Sequence, residues 1–131
     1  MIETDELRRS AQSRLEDAAA LLLGGRYDGA VYICGYAVEL ALKARICQVM
    51  NWAGYPSTRR EFQDYQTFRT HNLSVLLRLS GMENRIKVDF AAEWTVVAAW
   101  NPEMRYQAVD ATSQRNAAVM VEATTTLLRV L

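Results

Sequence analysis

Histidine is almost missing from this chain: His71 is the only one in 131 residues. Cysteine is nearly as scarce, with Cys34 and Cys47 alone and no C-x-x-C pair. A Cys/His metal site needs more ligands than these, so none is predicted. The two cysteines fall on one predicted helix, and at ~1.5 Å rise per residue they stand roughly 20 Å apart. A disulfide cannot bridge that span. Both thiols are read as core groups, and the chain as one suited to a reducing, cytoplasmic compartment. Neither sign of charge is in excess: 15 Lys and Arg balance 15 Asp and Glu. The composition therefore carries no bulk nucleic-acid signature. No run of ~18 apolar residues is present, so no membrane span is expected. The opening "MIETDELRRS" lacks the apolar core of a signal peptide. "LGGRYDG" has glycines but no following Lys-Ser/Thr, so it is not a phosphate loop, and no cofactor is predicted. No nucleophile elbow and no helix-borne Glu-x-x-His occur.

What remains is helical periodicity. Leu7, Ala11, Leu15, Ala18 and Leu22 recur at spacings of three and four, which predicts a helix from Thr4 or Asp5 to Leu23. Gly24-Gly25 ends it. A second helix is predicted from Arg26 or Tyr27 to about Trp52, broken by "AGYPST". Residues 57–69 are read as a short helix within a longer connection. "THNLSVLLRLSG" is a third helix capped by Thr70 or Asn72 and stopped by Gly81. A fourth covers Lys87 to Trp100, with Phe90, Trp94, Val97 and Ala98 facing inward. Asn101-Pro102 interrupts the chain, and "EMRYQAVD" bridges to a last helix from about Ala111 to Val130. Its stripe is Ala117, Met120, Val121, Leu127, Leu128 and Leu131. No segment alternates cleanly, so strands are not expected. The fold class is all-α: an antiparallel bundle of four to five helices in one domain spanning residues 1–131.

The second helix is apolar almost all round, yet Tyr32, Gly35, Tyr36, Glu39 and Lys43 make a polar stripe along it. Three readings stand side by side. The Glu39–Lys43 pair faces solvent; or the glycines allow close approach at a dimer contact; or the stripe lines a pocket in the bundle wall. The apolar flanks of Glu39 predict that it is at least half buried and bonded to a cation outside its own turn. Arg105 is the leading partner and Lys43 the local alternative. Gly35 is expected to face another helix closely. The apolar girth of this helix also predicts a homodimer.

"RYDGAVYICGYAVELALKARI" resembles the signature helix of the HEPN family (higher eukaryotes and prokaryotes nucleotide-binding domains), which often has the form Y-x-x-A-x-x-x-x-x-Y-A-x-E-x-x-L-K-A. Tyr27, Ala30, Tyr36, Ala37, Glu39, Leu42, Lys43 and Ala44 match it. "THNLSVLL" resembles the family's threonine-histidine-aspartate-leucine segment, with Asn72 in place of Asp. "WNPEMRY", Trp100 to Tyr106, resembles a tryptophan-to-arginine-tyrosine segment of one prokaryotic branch. The resemblance implies a helical bundle, a homodimer, and association with a minimal nucleotidyltransferase or a toxin–antitoxin, defence or RNA-processing system. Its active branches are metal-independent ribonucleases with an Arg, four to six residues, then a His. That motif is absent here, because Asp64, Tyr65 and Gln66 occupy the positions where the arginine would stand before His71.

Tyr36, Glu39, Lys43, Arg69, His71, Arg105 and Tyr106 are the candidate ligand or pocket residues, and His71 is the one catalytic candidate. His71 reads either as a structural histidine beside a helix cap or as a phosphate-facing group next to Arg69. Arg105 reads as a partner for Glu39 or a phosphate holder. Trp94, Trp100, Phe90 and Tyr106 are expected in the core. The function expected first is a non-catalytic interaction module that binds nucleotide or RNA. The alternative is a divergent ribonuclease, with His71 and an arginine supplied in space or from a dimer mate.

Overall fold

The computed structural model describes residues 1–131 and is almost wholly helical. Helix α1 is Thr4–Leu23 and α2 is Tyr27–Met50. They are followed by α3 (Leu73–Leu79), α4 (Glu83–Asp89), α5 (Ala91–Ala98) and α6 (Gln114–Val130). Two short 3-10 turns, at Gln66–Phe68 and Pro102–Tyr106, lie in the connections. The all-α bundle read from the periodicity is present.

Helix α2 is the axis of the structure. It packs against α1, α6 and α3. Its buried residues run from Ala30 to Cys47 and occupy most of its circumference, as expected of a helix without a solvent face. Helix α1 presents Leu7, Ala11, Leu15 and Ala18 to it, while Leu22 is only partly covered. Helix α6 adds Ala117, Met120, Ala123, Thr124 and Leu127. Asn51 ends α2 with φ 53°, a left-handed cap that asparagine tolerates. Cys34 and Cys47 are free and buried. Burial pushes the Cys34 thiol up to about 11, so it stays protonated and unreactive at neutral pH.

Several expectations are corrected. Two short strands exist, β1 (Ile2–Glu3) and β2 (Gly54–Tyr55), paired antiparallel with Ile2 opposite Tyr55. At two residues each they are too short for any alternation pattern to register. The fourth predicted helix is two helices, because Phe90 leaves helical geometry at φ −131°, ψ 36°. The predicted helix in 57–69 is a run of turns ending in the 3-10 turn. Tyr106 is 73% exposed and outside the core. Helix α2 keeps a partly exposed stripe through Ile33, Tyr36 and Leu40, and Val49 and Met50 at its end are exposed.

Gly35 fixes a close approach. A Cβ there would overlap the indole ring of Trp100, whose Nε1 donates to the Tyr32 carbonyl at 3.0 Å. The neighbour is thus the residue between α5 and the second 3-10 turn, not another helix. Gly35→Ala gains ~1 kcal/mol of helix propensity but displaces a buried indole. The expected net loss is about 1–2 kcal/mol, read by urea unfolding. Stability at or above wild type would remove the contact from the account.

Asp28, in the first turn of α2, accepts hydrogen bonds from the backbone N–H groups of Asp110 at 2.6 Å and Thr112 at 2.9 Å. Those bonds, Thr112's first, hold its carboxyl below the ordinary value of 3.8. A depressed folded-state pKa stabilises the fold above the unfolded value and ceases to do so as pH falls through the folded one. The melting-temperature gap between wild type and Asp28→Asn is therefore expected to be full at neutral pH and to close progressively below about pH 4. A gap constant down to pH 2 would contradict this.

Candidate functional site

The site begins with a carboxylate that cannot reach water. Glu39 is 3% exposed in the middle of α2. A buried carboxylate is tolerated only when paired, and a lysine and a histidine meet it. Lys43 Nζ, one turn on, donates to Oε2 at 3.2 Å, and its side chain is itself only 16% exposed. His71 Nδ1 lies 2.7 Å from Oε1. The ammonium of Lys43 also stands 5.2 Å from the ring centre of Tyr55.

His71 arrives from the segment that enters α3. Thr70 Oγ1 accepts from the Asn72 N–H, and Asn72 caps α3 by accepting from the Val75 N–H at 3.1 Å. These local bonds set the backbone so that the imidazole reaches back to α2. With Nδ1 donating to Glu39, Nε2 is the outward nitrogen, and the side chain keeps 59% of its surface exposed. Tyr36 lies beside it, 6.4 Å between ring centres and edge-on. The hydroxyl–hydroxyl contact with Tyr32 at 3.4 Å, together with burial, pushes the Tyr36 phenol up to about 12.

A second feature shapes the surroundings. Trp52, Tyr55, Phe62, Tyr65 and Phe68 pack edge-on or tilted into one aromatic cluster. Tyr55 is fully buried and its hydroxyl donates to the Phe68 carbonyl at 2.6 Å. The connection between α2 and α3 is thereby held against the bundle without regular structure. Between it and α2 opens a cleft of about 400 Å³. Its polar lining is Lys43, Ser57, Arg69, Thr70 and His71; Leu40, Tyr55 and Phe62 give it an apolar wall. No carboxylate lines it, because Glu39 lies behind Lys43 and His71. The aromatic density of 52–68 was the available sign of this cleft, and periodicity passed over it.

The structure brings together Tyr36, Glu39, Lys43 and His71, with Arg69 on the same cleft. It does not bring Arg105 to Glu39. The Arg105 guanidinium donates to the Pro102 carbonyl at 2.9 Å and stacks 4.6 Å from the Tyr106 ring centre. Pro102 starts a 3-10 turn that carries both residues outward. His71 takes the place expected for Arg105. No three His, Cys, Asp or Glu side chains converge anywhere in the chain, and no helix is long and apolar enough to cross a membrane.

Residues 4–58, which hold α1, α2 and β2, match the HEPN domain family model. No curated protein and no solved structure matches the chain.

Replacing Glu39 with Ala leaves Lys43 charged and largely buried. Breaking such a pair costs about 3–5 kcal/mol, and the residual exposure of Lys43 places this case near the lower end. Denaturant unfolding is expected to show a loss of about 3 kcal/mol, much of it restored in Glu39→Leu/Lys43→Met, where neither charge remains. A single variant as stable as wild type would mean that the pair carries no structural weight.

Proposed function

With residues 4–58 a HEPN-domain segment, we propose that the chain, read as one HEPN-like unit, is an interaction module that binds nucleotide or RNA phosphate in the cleft between α2 and the 57–71 connection. The observation that carries this is the charge of the lining. Lys43, Arg69 and His71 face the cleft with no opposing carboxylate, and the buried Glu39 holds two of them, Lys43 and His71, from behind. A volume of about 400 Å³ lies in the range of ligand pockets, ~300–1,000 Å³. Arg69 supplies planar donors for phosphate oxygens. Leu40, Tyr55 and Phe62 offer apolar surface to a base or ribose.

The family also supports two partners: a second copy of the chain, and a minimal nucleotidyltransferase of the kind HEPN proteins accompany. Leu23, Val49 and Met50 are exposed apolar residues available for such contacts.

One observation favours a second reading. A carboxylate bonded to Nδ1, with Nε2 outward, is the arrangement that orients a histidine for proton transfer. Under this reading His71 takes the ribose 2′-hydroxyl proton, the 2′-oxygen attacks the adjacent phosphorus, Arg69 stabilises the phosphorane charge, and the 5′-oxygen leaves with a proton from water, giving a 2′,3′-cyclic phosphate and a free 5′-hydroxyl without a metal.

Calorimetric titration with nucleoside monophosphates and short RNA separates the two. Binding should weaken about tenfold in Arg69→Ala and in His71→Ala, the scale of losing one charged hydrogen bond, with RNA left intact in the presence of a chelator. Cleavage in wild type that His71→Ala abolishes would replace the binding reading with the ribonuclease one. Unchanged affinity in both variants would remove the cleft from the function.

A further inference from the structure

The first cleft is not the only cationic concavity on the connection between α2 and α3. A second one, of about 570 Å³, is lined by Arg59, Arg60, Gln63 and Gln66 and by nothing else. Two guanidiniums and two carboxamides carry fourteen N–H donors by the ordinary chemistry of these groups, one of them engaged on the Phe62 carbonyl, and no ionised acceptor. Glu61 and Asp64, the acidic residues of this segment, line neither cleft. The Glu61 carboxylate is bonded by Thr58 Oγ1 and the chain's amino group, both at 2.9 Å.

The two clefts share a wall. Phe62 lines the first cleft, and its backbone carbonyl accepts from the side-chain amide of Gln66, which lines the second, at 2.9 Å. Arg69 of the first cleft sits 6.0 Å from the Phe62 ring centre on the same wall. Tyr65 lies between these residues in the chain and is 44% exposed. Its edge contacts with Trp52 and Phe68, at 5.2 and 6.2 Å between ring centres, fix the ring without covering it. Spaced cations and a fixed, half-open aromatic ring in one segment of chain are what a single strand needs. Phosphodiesters take the guanidiniums, and a base stacks on the ring whatever its identity.

We propose that Arg59 and Arg60, with Gln63 and Gln66, form a second phosphate subsite, so that the ligand is a single-stranded nucleic acid lying across the Phe62–Tyr65 wall rather than a mononucleotide. This rests on the reading of the first cleft as a phosphate site. The subsite reads backbone and stacking, so it is indifferent to sequence. Ribose or deoxyribose is decided elsewhere along the strand.

The test is fluorescence anisotropy on the full chain with a labelled oligouridylate of about 12 nucleotides, the matching deoxy-oligomer, and uridine monophosphate as competitor. Three proteins are compared: wild type, Arg59→Ser/Arg60→Ser, and Arg69→Ala/His71→Ala. The serine variant alters exposed side chains only, and its melting temperature should equal that of wild type. It is expected to bind the oligomer at least tenfold more weakly and to flatten the slope of log affinity against log salt by about 1.4, or ~0.7 for each lost phosphate contact. Its affinity for the monophosphate should not change. Three results would overturn the subsite: equal wild-type affinity for oligomer and monophosphate, an unchanged oligomer affinity in the serine variant, or equal competition by polyglutamate at matched charge, which would mark a patch for acidic protein. Oligomer binding lost in the serine variant but intact in Arg69→Ala/His71→Ala would keep the subsite and remove the first-cleft reading. Absence of oligomer binding in wild type overturns both.

Discussion

Glu39 must have a positive partner, and much of the surrounding architecture follows from that requirement. A carboxylate at 3% exposure in a helix buried on nearly every side is untenable alone. Lys43 answers from the same helix, one turn on, in the orientation that favours an ion pair. His71 answers from the far side of a connection more than twenty residues long. The second bond is the consequential one. It ties the start of α3 to the middle of α2 and decides where the intervening chain must lie. The cleft is the space left between that chain and the helix.

Apolar packing holds the same geometry from two other directions. The connection carries little regular structure, so its backbone order comes from the aromatic cluster and from the Tyr55 hydroxyl on the Phe68 carbonyl. Trp100 seals the stripe on the other side, in a slot that exists because residue 35 has no Cβ. Its ring packs edge-on against Tyr36 at 5.0 Å, and Tyr36 in turn flanks His71. The glycine, the two tyrosines, the glutamate and the lysine on one face of α2 thus serve a common end. The small residue admits the tryptophan, the tyrosines line the approach, and the charges receive the histidine.

How much of this could be read from the residues depended on the range of the interaction. Helices α1 and α2 declared themselves through spacing and glycine stops, and the burial of Glu39 followed from its apolar flanks. Those are properties of a single helix. The partner of Glu39 was read as Arg105 at long range or Lys43 within the helix; Lys43 does pair, and the long-range partner is the residue left out, His71. Nothing local distinguishes a histidine before a helix cap that turns inward from one that turns out. Arg105 looked favourable because it follows a proline bend, yet that bend aims it at solvent and at Tyr106. Phe90 interrupts a pattern that reads as continuous helix, with no proline or glycine to mark the break. The clefts were illegible for a related reason. Both are built on turns fixed by aromatic contacts between residues 52 and 68, where no period exists to be found.

The placement of the negative charge explains how a chain of zero net charge can offer a cationic surface. Glu39 neutralises part of the charge of Lys43 and orients His71, but it does so from inside the helix packing, where no ligand can reach it. A phosphate in the cleft would therefore meet donors whose positions are already fixed by a buried acceptor and would not compete with a carboxylate at the surface. Moving that carboxylate to the rim would leave the formal charge unchanged and cancel the attraction. Direction thus matters more than total: the one acidic residue bonded to Lys43 and His71 lies behind them, and the same bond that satisfies it points the imidazole Nε2 outward. Phosphate binding and proton transfer, the two activities proposed for the cleft, would both draw on that orientation. What would separate them is whether a 2′-hydroxyl came to rest against Nε2, which would be set by how a strand lay across Arg69 and the Phe62 wall and not by the dyad itself.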